Sequence, residues 1–134
     1  MFELNEHLEN DAVRVGDMPL SLVLLMKDSR FPWAILVPRR KGLVEFHDLS
    51  PADRRDLTEE AAAVSVALQK LTGATKMNIA ALGNVVRQLH IHVVARFEDD
   101  DAWPRPVWAV GAPLPYAEGE AEACAAALRA ALGI

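Results

Sequence analysis

The chain has 134 residues, of which 51% are hydrophobic and 25% charged, and its formal net charge is −5. This length and composition are typical of one globular domain, expected over residues 1–134. The negative charge argues against extended nucleic-acid binding, because phosphate contacts require clustered Lys and Arg. The apolar runs are too short to span a bilayer, the first residues are acidic where a signal peptide is basic, and Cys124 is the only cysteine. We therefore expect a cytoplasmic protein without membrane contact.

The first third of the chain predicts a short helix followed by a strand and a hairpin. Residues 3–9 allow one or two helical turns, and Val13–Val15 predicts a short strand that ends in a turn. Leu20–Met26 and Trp33–Val37 are apolar runs joined by a polar connection, a pattern typical of an antiparallel hairpin. Pro38 is expected to stop the second strand, and Trp33 is expected in the core.

The strongest helix signal begins at Ser50. Ser is a favourable N-cap, Pro51 occupies the first helical position, and Gly73 supplies a C-terminal stop. Apolar residues recur at intervals of three and four on one face: Leu57, Ala61, Val64, Leu68 and Leu71. A long helix is therefore predicted between Ser50 and Gly73.

Two more strands and a second helix complete the predicted fold. Met77–Leu82 and Leu89–Phe97 predict a strand pair, and the alanine-rich stretch Ala117–Leu132 predicts a C-terminal helix. The acidic run Asp99–Asp101 is expected to be a solvated turn. The fold class is therefore α+β: an antiparallel sheet of about five strands, one long central helix and a C-terminal helix.

The stretch Gln88-Leu89-His90-Ile91-His92-Val93-Val94 alternates polar nitrogen-bearing residues with aliphatic ones. On a strand, Gln88, His90 and His92 share one face, with the histidine Cα atoms about 7 Å apart, while the aliphatic residues pack into a core. Three interpretations are open at this point. The histidines are structural, or they bind zinc together with a third ligand, or one imidazole attacks phosphorus while the other donates a hydrogen bond.

The segment from Gly83 to Val94, with its alternating histidines after a glycine-containing turn, resembles the signature of the histidine triad (HIT) superfamily. The order of predicted elements from residue 12 to residue 97 is also similar to that family, and Ala102–Trp108 resembles a bacterial HIT-like branch. The resemblance implies a homodimer and a hydrolase or transferase that acts on nucleotide conjugates, such as phosphoramidates or dinucleoside polyphosphates. It implies a nucleotidyl-histidine intermediate and no metal or other cofactor.

The resemblance also implies roles for individual residues. His90 takes the place of the nucleophile and His92 assists the phosphate or the leaving group. Gln88 stands where the family has its first histidine and cannot carry a proton. Asn84 stands at a phosphate-orienting position, and Val85 lacks the hydroxyl that many members have there. An alternative function is a non-catalytic nucleotide-binding module or regulator with a degenerate triad.

Four further residues are candidates with two interpretations each. Asn78 is a phosphate or ribose ligand, or a residue that caps a strand end. Lys41, within the basic run that begins at Arg39, is a phosphate ligand or a surface lysine. Trp103 and Trp108 cover the base or a subunit interface.

Overall fold

The computed structural model describes residues 1–134 and confirms the predicted fold class. Three helices and five strands follow one another, with a 3₁₀ turn at Phe46–Asp48 before the second helix. In chain order the elements are α1 (Glu6–Asp11), β1 (Ala12–Asp17), β2 (Ser21–Met26), β3 (Trp33–Pro38), α2 (Pro51–Thr72), β4 (Lys76–Ala80), β5 (Ile91–Arg96) and α3 (Glu120–Leu132). None of the helices combines the length and apolar composition that crossing a bilayer requires.

The five strands form one antiparallel sheet in the order β1-β2-β3-β5-β4. β5 therefore has a hydrogen-bonded neighbour on each side. In this register His92 lies between Ile35 of β3 and Ala80 of β4. The backbone that carries His92 is consequently fixed by hydrogen bonds to both neighbouring strands.

Each face of the sheet is covered by a different part of the chain. The face with Ile91 and Val93 packs against α2 and α3 and forms the larger core, as the alternating pattern predicts. The opposite face, with Ile35 and Val94, packs against the N-terminal segment and residues from the connection between β5 and α3. The histidine pair belongs to this second face.

The long helix begins and ends as its sequence predicts. The Ser50 hydroxyl accepts a hydrogen bond from the Asp53 N–H, and Gly73 adopts the left-handed conformation (φ 70°) that closes the helix. Leu57, Val64 and Leu68 are buried as expected, but Leu71 is 47% exposed. The apolar stripe is therefore shorter than predicted, because the last turn of α2 extends beyond the core.

Several predicted boundaries are corrected by the structure. α1 spans Glu6–Asp11 and not residues 3–9, since the Asn5 side chain caps it by accepting from the His7 N–H. β4 ends at Ala80 and not at Leu82, where its pairing with β5 ends. β5 begins at Ile91 and not at Leu89, because the Leu89 N–H donates to the carbonyl of Leu43 rather than to a neighbouring strand.

Candidate active site

His90 and His92 lie side by side on the second face of the sheet. Their ring centroids are 4.8 Å apart, with the ring planes inclined at 72°. His92 is fixed within β5, whereas His90 immediately precedes the strand. Both residues are almost fully buried, with 6% and 4% of their surface exposed, and both line a pocket of about 300 Å³. This volume is within the range of small-molecule sites.

His90 carries its proton on Nδ1. That nitrogen lies 2.6 Å from the carbonyl oxygen of Gln88, and a carbonyl can only accept. The lone pair of His90 is therefore on Nε2. Nε2 of His90 has no hydrogen-bond partner. It is not fully buried either, because the only fully buried side-chain polar atom without a partner is the Ser21 hydroxyl. Nε2 of His90 therefore faces open space in the pocket. This is the arrangement that a nucleophilic imidazole requires.

His92 carries its proton on the other ring nitrogen. The indole N–H of Trp33, which can only donate, lies 2.9 Å from Nδ1 of His92. The proton of a neutral His92 is therefore on Nε2. Burial, and secondarily the neighbouring His90, lower the pKa of His92 from 6.5 to about 3. Near neutral pH, His92 is an uncharged hydrogen-bond donor.

The two tryptophans considered from the sequence occupy different environments. Trp108 lines the pocket and meets His92 edge-on, with ring centroids 5.0 Å apart. Trp103 instead lies under the guanidinium of Arg96, 5.6 Å from its ring centroid. Trp108 therefore forms part of the pocket wall, and Trp103 stabilises the segment that carries it.

The rest of the pocket comes mainly from parts of the chain that are far from the histidines in sequence. Asn84 and Asp11 add polar groups beside the histidines. The remaining wall is mostly apolar and includes Leu8, Ala12, Met26, Ile35, Leu82, Val85, Val86 and Trp108. The contribution of α1 was not predicted from the sequence. Its only local signal is the spacing of Leu8 and Asp11 on one helical face, which an ordinary packed helix also shows.

The Gln88 side chain does not line the histidine pocket. Its Oε1 accepts from the Asn5 N–H at 2.9 Å, and its Nε2 donates to the Glu3 carbonyl at 2.8 Å. Both ends of the amide are thus bound to the N-terminal segment. Gln88 can orient a phosphate oxygen only if this segment is released.

Asn78 and Lys41 also lie outside the pocket wall. The Asn78 Oδ1 accepts from Nη1 of Arg96 at 2.8 Å, on β4. Lys41 is exposed in the turn after β3. Among the three predicted ligands for phosphate or ribose, only Asn84 therefore joins the histidine pair in the pocket.

The neighbouring basic residues serve the fold. Arg39 forms an ion pair with Asp17 at 3.1 Å and donates to backbone carbonyls of the β1–β2 turn. Arg40 pairs with Asp53 at the start of α2 at 2.9 Å. Neither guanidinium lines the histidine pocket.

The acidic run after β5 was predicted to be a solvated turn, but one of its carboxylates, Asp100, is buried. The Asp100 side chain is 4% exposed and pairs with Nε of Arg96 at 2.8 Å. Although burial opposes ionisation, the bond from Arg96 and three backbone N–H groups lower the pKa of Asp100 to about 2. This buried pair fixes the beginning of the connection that carries Trp108.

Outside the histidine pocket, the structure offers little for metal or ligand binding. Nowhere does the structure gather three or more His, Cys, Asp or Glu side chains suited to holding a metal ion. A larger hollow of about 560 Å³ lies between α2 and α3, but it is lined mostly by aliphatic residues. The histidine pocket is therefore the place where reactive groups and an open volume coincide.

The fold and the histidine pair define an α+β protein of the histidine triad class. The HIT domain family matches residues 7–99, and the chain belongs to this family. A histidine triad protein from Bradyrhizobium japonicum is 46% identical, with 98% of each chain covered and a TM-score of 0.94. Another from Sinorhizobium meliloti is 48% identical over 95% of this chain and 94% of that one, with a TM-score of 0.92.

A third solved relative, a histidine triad protein from Marinobacter aquaeolei, is 43% identical. It matches with a TM-score of 0.95, covering 99% of this chain and 97% of its own. No curated protein matched the chain. The similarity therefore shows the family over nearly the whole chain, and the names of these three relatives state no activity.

Proposed function

We propose that this protein is a nucleotide hydrolase or nucleotidyltransferase that forms a covalent intermediate on His90. The observation that carries the proposal is the opposite placement of two protons within one pocket. His90 has its lone pair on Nε2, and His92 has its proton there. One imidazole is thus prepared to attack phosphorus while its neighbour donates to an oxygen.

The reaction divides into two displacements. Nε2 of His90 attacks the α-phosphorus of a nucleotide conjugate, and the bond to the leaving group breaks. The resulting imidazolium is stabilised because its Nδ1–H remains bonded to the carbonyl of Gln88. Water or another acceptor then attacks phosphorus and restores the free imidazole. His92 donates through Nε2 in both steps.

The pocket walls support a nucleotide as the bound group. Asn84 contributes an amide that can donate to phosphate oxygens, and the apolar wall around Met26 and Ile35 suits a planar base. The Asp11 side chain has no hydrogen-bonding partner in the structure, and its carboxylate oxygens can accept from ribose hydroxyls. Asp11 is therefore our candidate for ribose recognition, in place of Asn78.

A non-catalytic nucleotide-binding module is the second candidate, and the turn before the histidines favours it. Val85 is 86% exposed and supplies no hydroxyl, and Gln88 is bound to the N-terminal segment. Loss of one donor to a developing oxyanion costs about 100-fold or more in rate. In this case the pocket retains a nucleotide without forming an adduct.

The test is to mix the protein separately with an adenosine phosphoramidate and with a dinucleoside polyphosphate. Intact mass spectrometry then detects a nucleotidyl adduct, and chromatography detects released monophosphate. We expect both signals in the wild type and in His47→Ala, whose histidine is 82% exposed away from the pocket, and neither in His90→Ala. Nucleotide binding without adduct or turnover would support the non-catalytic module instead.

We also propose that the protein is a homodimer joined along β4. This strand is at the edge of the sheet, and no other strand pairs with its outer side. Ile79 on this strand is 51% exposed and borders an apolar hollow that also includes Phe46 and Ile91. We expect sedimentation to show a dimer that Ile79→Glu dissociates and Lys70→Glu, on α2, does not. A monomeric wild type would contradict the proposal.

A further inference from the structure

Trp33 stands directly behind His92 on the neighbouring strand. It is 6% exposed, so the expectation that it lies in the core is confirmed, but its indole N–H is committed to Nδ1 of His92 at 2.9 Å. The indole is itself held by edge-to-face contacts with Phe31 and Trp108, at centroid distances of 6.5 and 5.8 Å. The hydrogen bond therefore comes from a ring with little freedom to turn away.

The donor type matters more than the distance. An indole N–H donates and has no lone pair with which to accept, so it is compatible with only one neutral tautomer of His92. In addition, Trp33 cannot pass a proton to His92 and recover another one. The proton of His92 is consequently fixed on Nε2, and no group behind the ring is able to replace it.

We propose that Trp33 is a positioning residue that holds His92 as a permanent Nε2–H donor, so that the site favours nucleotide conjugates whose leaving group departs as an oxyanion over those whose leaving group departs as an amine. The preference for leaving groups rests on the proposed function. The positioning role of Trp33 rests on the hydrogen bond alone.

The proton balance of the first displacement gives the reason. When Nε2 of His90 bonds to phosphorus and a P–O bond breaks, the electron pair leaves on oxygen. A phosphate or phenolate oxygen is stable with that charge and needs only a hydrogen bond from His92. When a P–N bond breaks, the nitrogen must gain a full proton to leave as an amine. Supplying it would turn His92 into an imidazolate, because Trp33 keeps its own proton.

The second displacement accounts for the remaining proton and electron pair. Water attacks phosphorus, the bond to Nε2 of His90 breaks, and its electron pair returns to the ring. The proton released by water goes to the departed oxyanion or to solvent. Over both steps a P–O bond is hydrolysed, and His92 retains its proton throughout.

The first test measures the tautomer directly and does not depend on activity. Nitrogen chemical shifts of protein labelled at histidine distinguish a protonated from an unprotonated ring nitrogen, and His92→Gln identifies the His92 signals. We expect His92 to be the Nε2–H tautomer in the wild type and to lose this fixed preference in Trp33→Phe. Trp103→Phe is the control, since Trp103 packs against Arg96 and does not line the pocket. An unchanged tautomer in Trp33→Phe would overturn the positioning role.

The second test compares the phenyl ester and the anilide of one nucleoside monophosphate. The ratio of their kcat/KM values includes their intrinsic reactivities, but these cancel when variants are compared. Trp33→His introduces a ring that both donates and accepts, so we expect the ester-to-anilide ratio to fall about 100-fold, the lower end of what general acid catalysis contributes. Trp103→Phe, outside the pocket, should leave the ratio unchanged. An equal ratio in wild type and Trp33→His would overturn the leaving-group preference.

The two tests separate this proposal from the proposed function. If neither substrate is turned over and no adduct forms, the catalytic function and the leaving-group preference are both refuted. The tautomer measurement still decides the role of Trp33 in that case. A fixed Nε2–H in the wild type that is lost in Trp33→Phe would retain Trp33 as the residue that orients a binding donor.

Discussion

The proton positions of the two histidines follow from the hydrogen-bond partner of Nδ1 in each ring. A backbone carbonyl faces His90 and an indole N–H faces His92, so two chemically identical side chains acquire opposite hydrogen-bonding roles. Burial adds a second difference by keeping His92 uncharged. The division of labour between attack and donation therefore requires no charged residue in contact with either ring.

The neutrality of His92 predicts a pH-dependent stability. Its pKa in the folded protein is about 3, below the ordinary value of 6.5, so the unfolded chain binds a proton between these values that the folded chain does not. The contribution is complete above pH 6.5 and is lost as the pH falls toward 3. We expect the free energy of unfolding of the wild type to fall about 3 kcal/mol further than that of His92→Gln between pH 7 and pH 4.

Urea unfolding at several pH values checks this. His47→Gln is the control, because His47 is 82% exposed, and its curve should follow the wild type. Parallel curves for wild type and His92→Gln would mean that His92 is protonated in the folded protein over this range.

At the scale of elements, the site is assembled by two segments that lie outside the sheet. The N-terminal segment with α1 supplies Leu8 and Asp11, and the connection between β5 and α3 supplies Trp108. Each is held by a specific polar contact: Gln88 binds the first, and the pair of Arg96 with Asp100 holds the second. Weakening either contact should therefore alter the pocket without removing a histidine.

For the N-terminal segment, we predict that Gln88→Ala increases the hydrogen-exchange rate of the Asn5 amide about 10-fold. This corresponds to about 1.4 kcal/mol for two lost hydrogen bonds. Nucleotide affinity should decrease at the same time, since Leu8 and Asp11 line the pocket. Arg87→Ala, at the exposed neighbouring position, should change neither quantity. Unaltered exchange at Asn5 would show that the segment is held by its apolar contacts alone.

For the connection to α3, we predict that Asp100→Asn lowers the free energy of unfolding by about 3 kcal/mol at pH 7. The substitution leaves the buried charge of Arg96 without its partner. Asp99→Asn is the control, because this adjacent carboxylate is exposed and makes no hydrogen bond. Chemical denaturation of the three proteins provides the measurement.

The pH dependence of this pair has a definite sign. The pKa of Asp100 in the folded protein, about 2, is below the ordinary value of 3.8, so its stabilising contribution is complete above pH 4 and is lost as the pH falls through 2. The difference between wild type and Asp100→Asn should accordingly narrow between pH 4 and pH 2. A difference that stays constant over this interval would contradict the ionised pair.

At the scale of the whole molecule, one buried carboxylate joins the long helix to the sheet. Glu60 of α2 is 6% exposed and accepts from the N–H groups of Leu20 and Ser21, at 2.8 and 3.0 Å. We predict that Glu60→Ala lowers the free energy of unfolding by about 3 kcal/mol, since it leaves two buried donors unpaired. Glu59→Ala, one residue earlier and exposed, should cost less than about 0.5 kcal/mol. Equal losses for the two variants would contradict this role of Glu60.

The predictable parts of the fold are the elements whose ends are set by interactions between residues close in sequence. Ser50 and Gly73 bound α2 through a cap and a left-handed turn, and these depend on neighbouring residues only. The predicted start of β5 was wrong. The Leu89 N–H donates to the carbonyl of Leu43, which belongs to a distant segment of the chain, so it does not pair with a neighbouring strand. Local pattern therefore indicates an element more reliably than it indicates where pairing begins.

The same distinction applies to the site. The alternating motif identified His90 and His92, because the relevant residues are close in sequence. It did not predict the partners of the Gln88 side chain, because these are Glu3 and Asn5 at the start of the chain. The burial of Trp33 was predictable from its apolar context, but the atom that its N–H binds depends on the register between β3 and β5.

The opposite tautomers also determine how the pocket meets an electrophile that is not a nucleotide. Acylating reagents react with an unprotonated imidazole nitrogen, and of the four histidines in the chain, His7 and His47 are exposed while His90 offers its lone pair to the pocket. The lone pair on Nδ1 of His92 already accepts the indole N–H of Trp33. Acylation of His90, in addition to that of His7 and His47, would then measure the fraction of empty pockets. Protection of His90 from acylation would measure the fraction that hold a ligand.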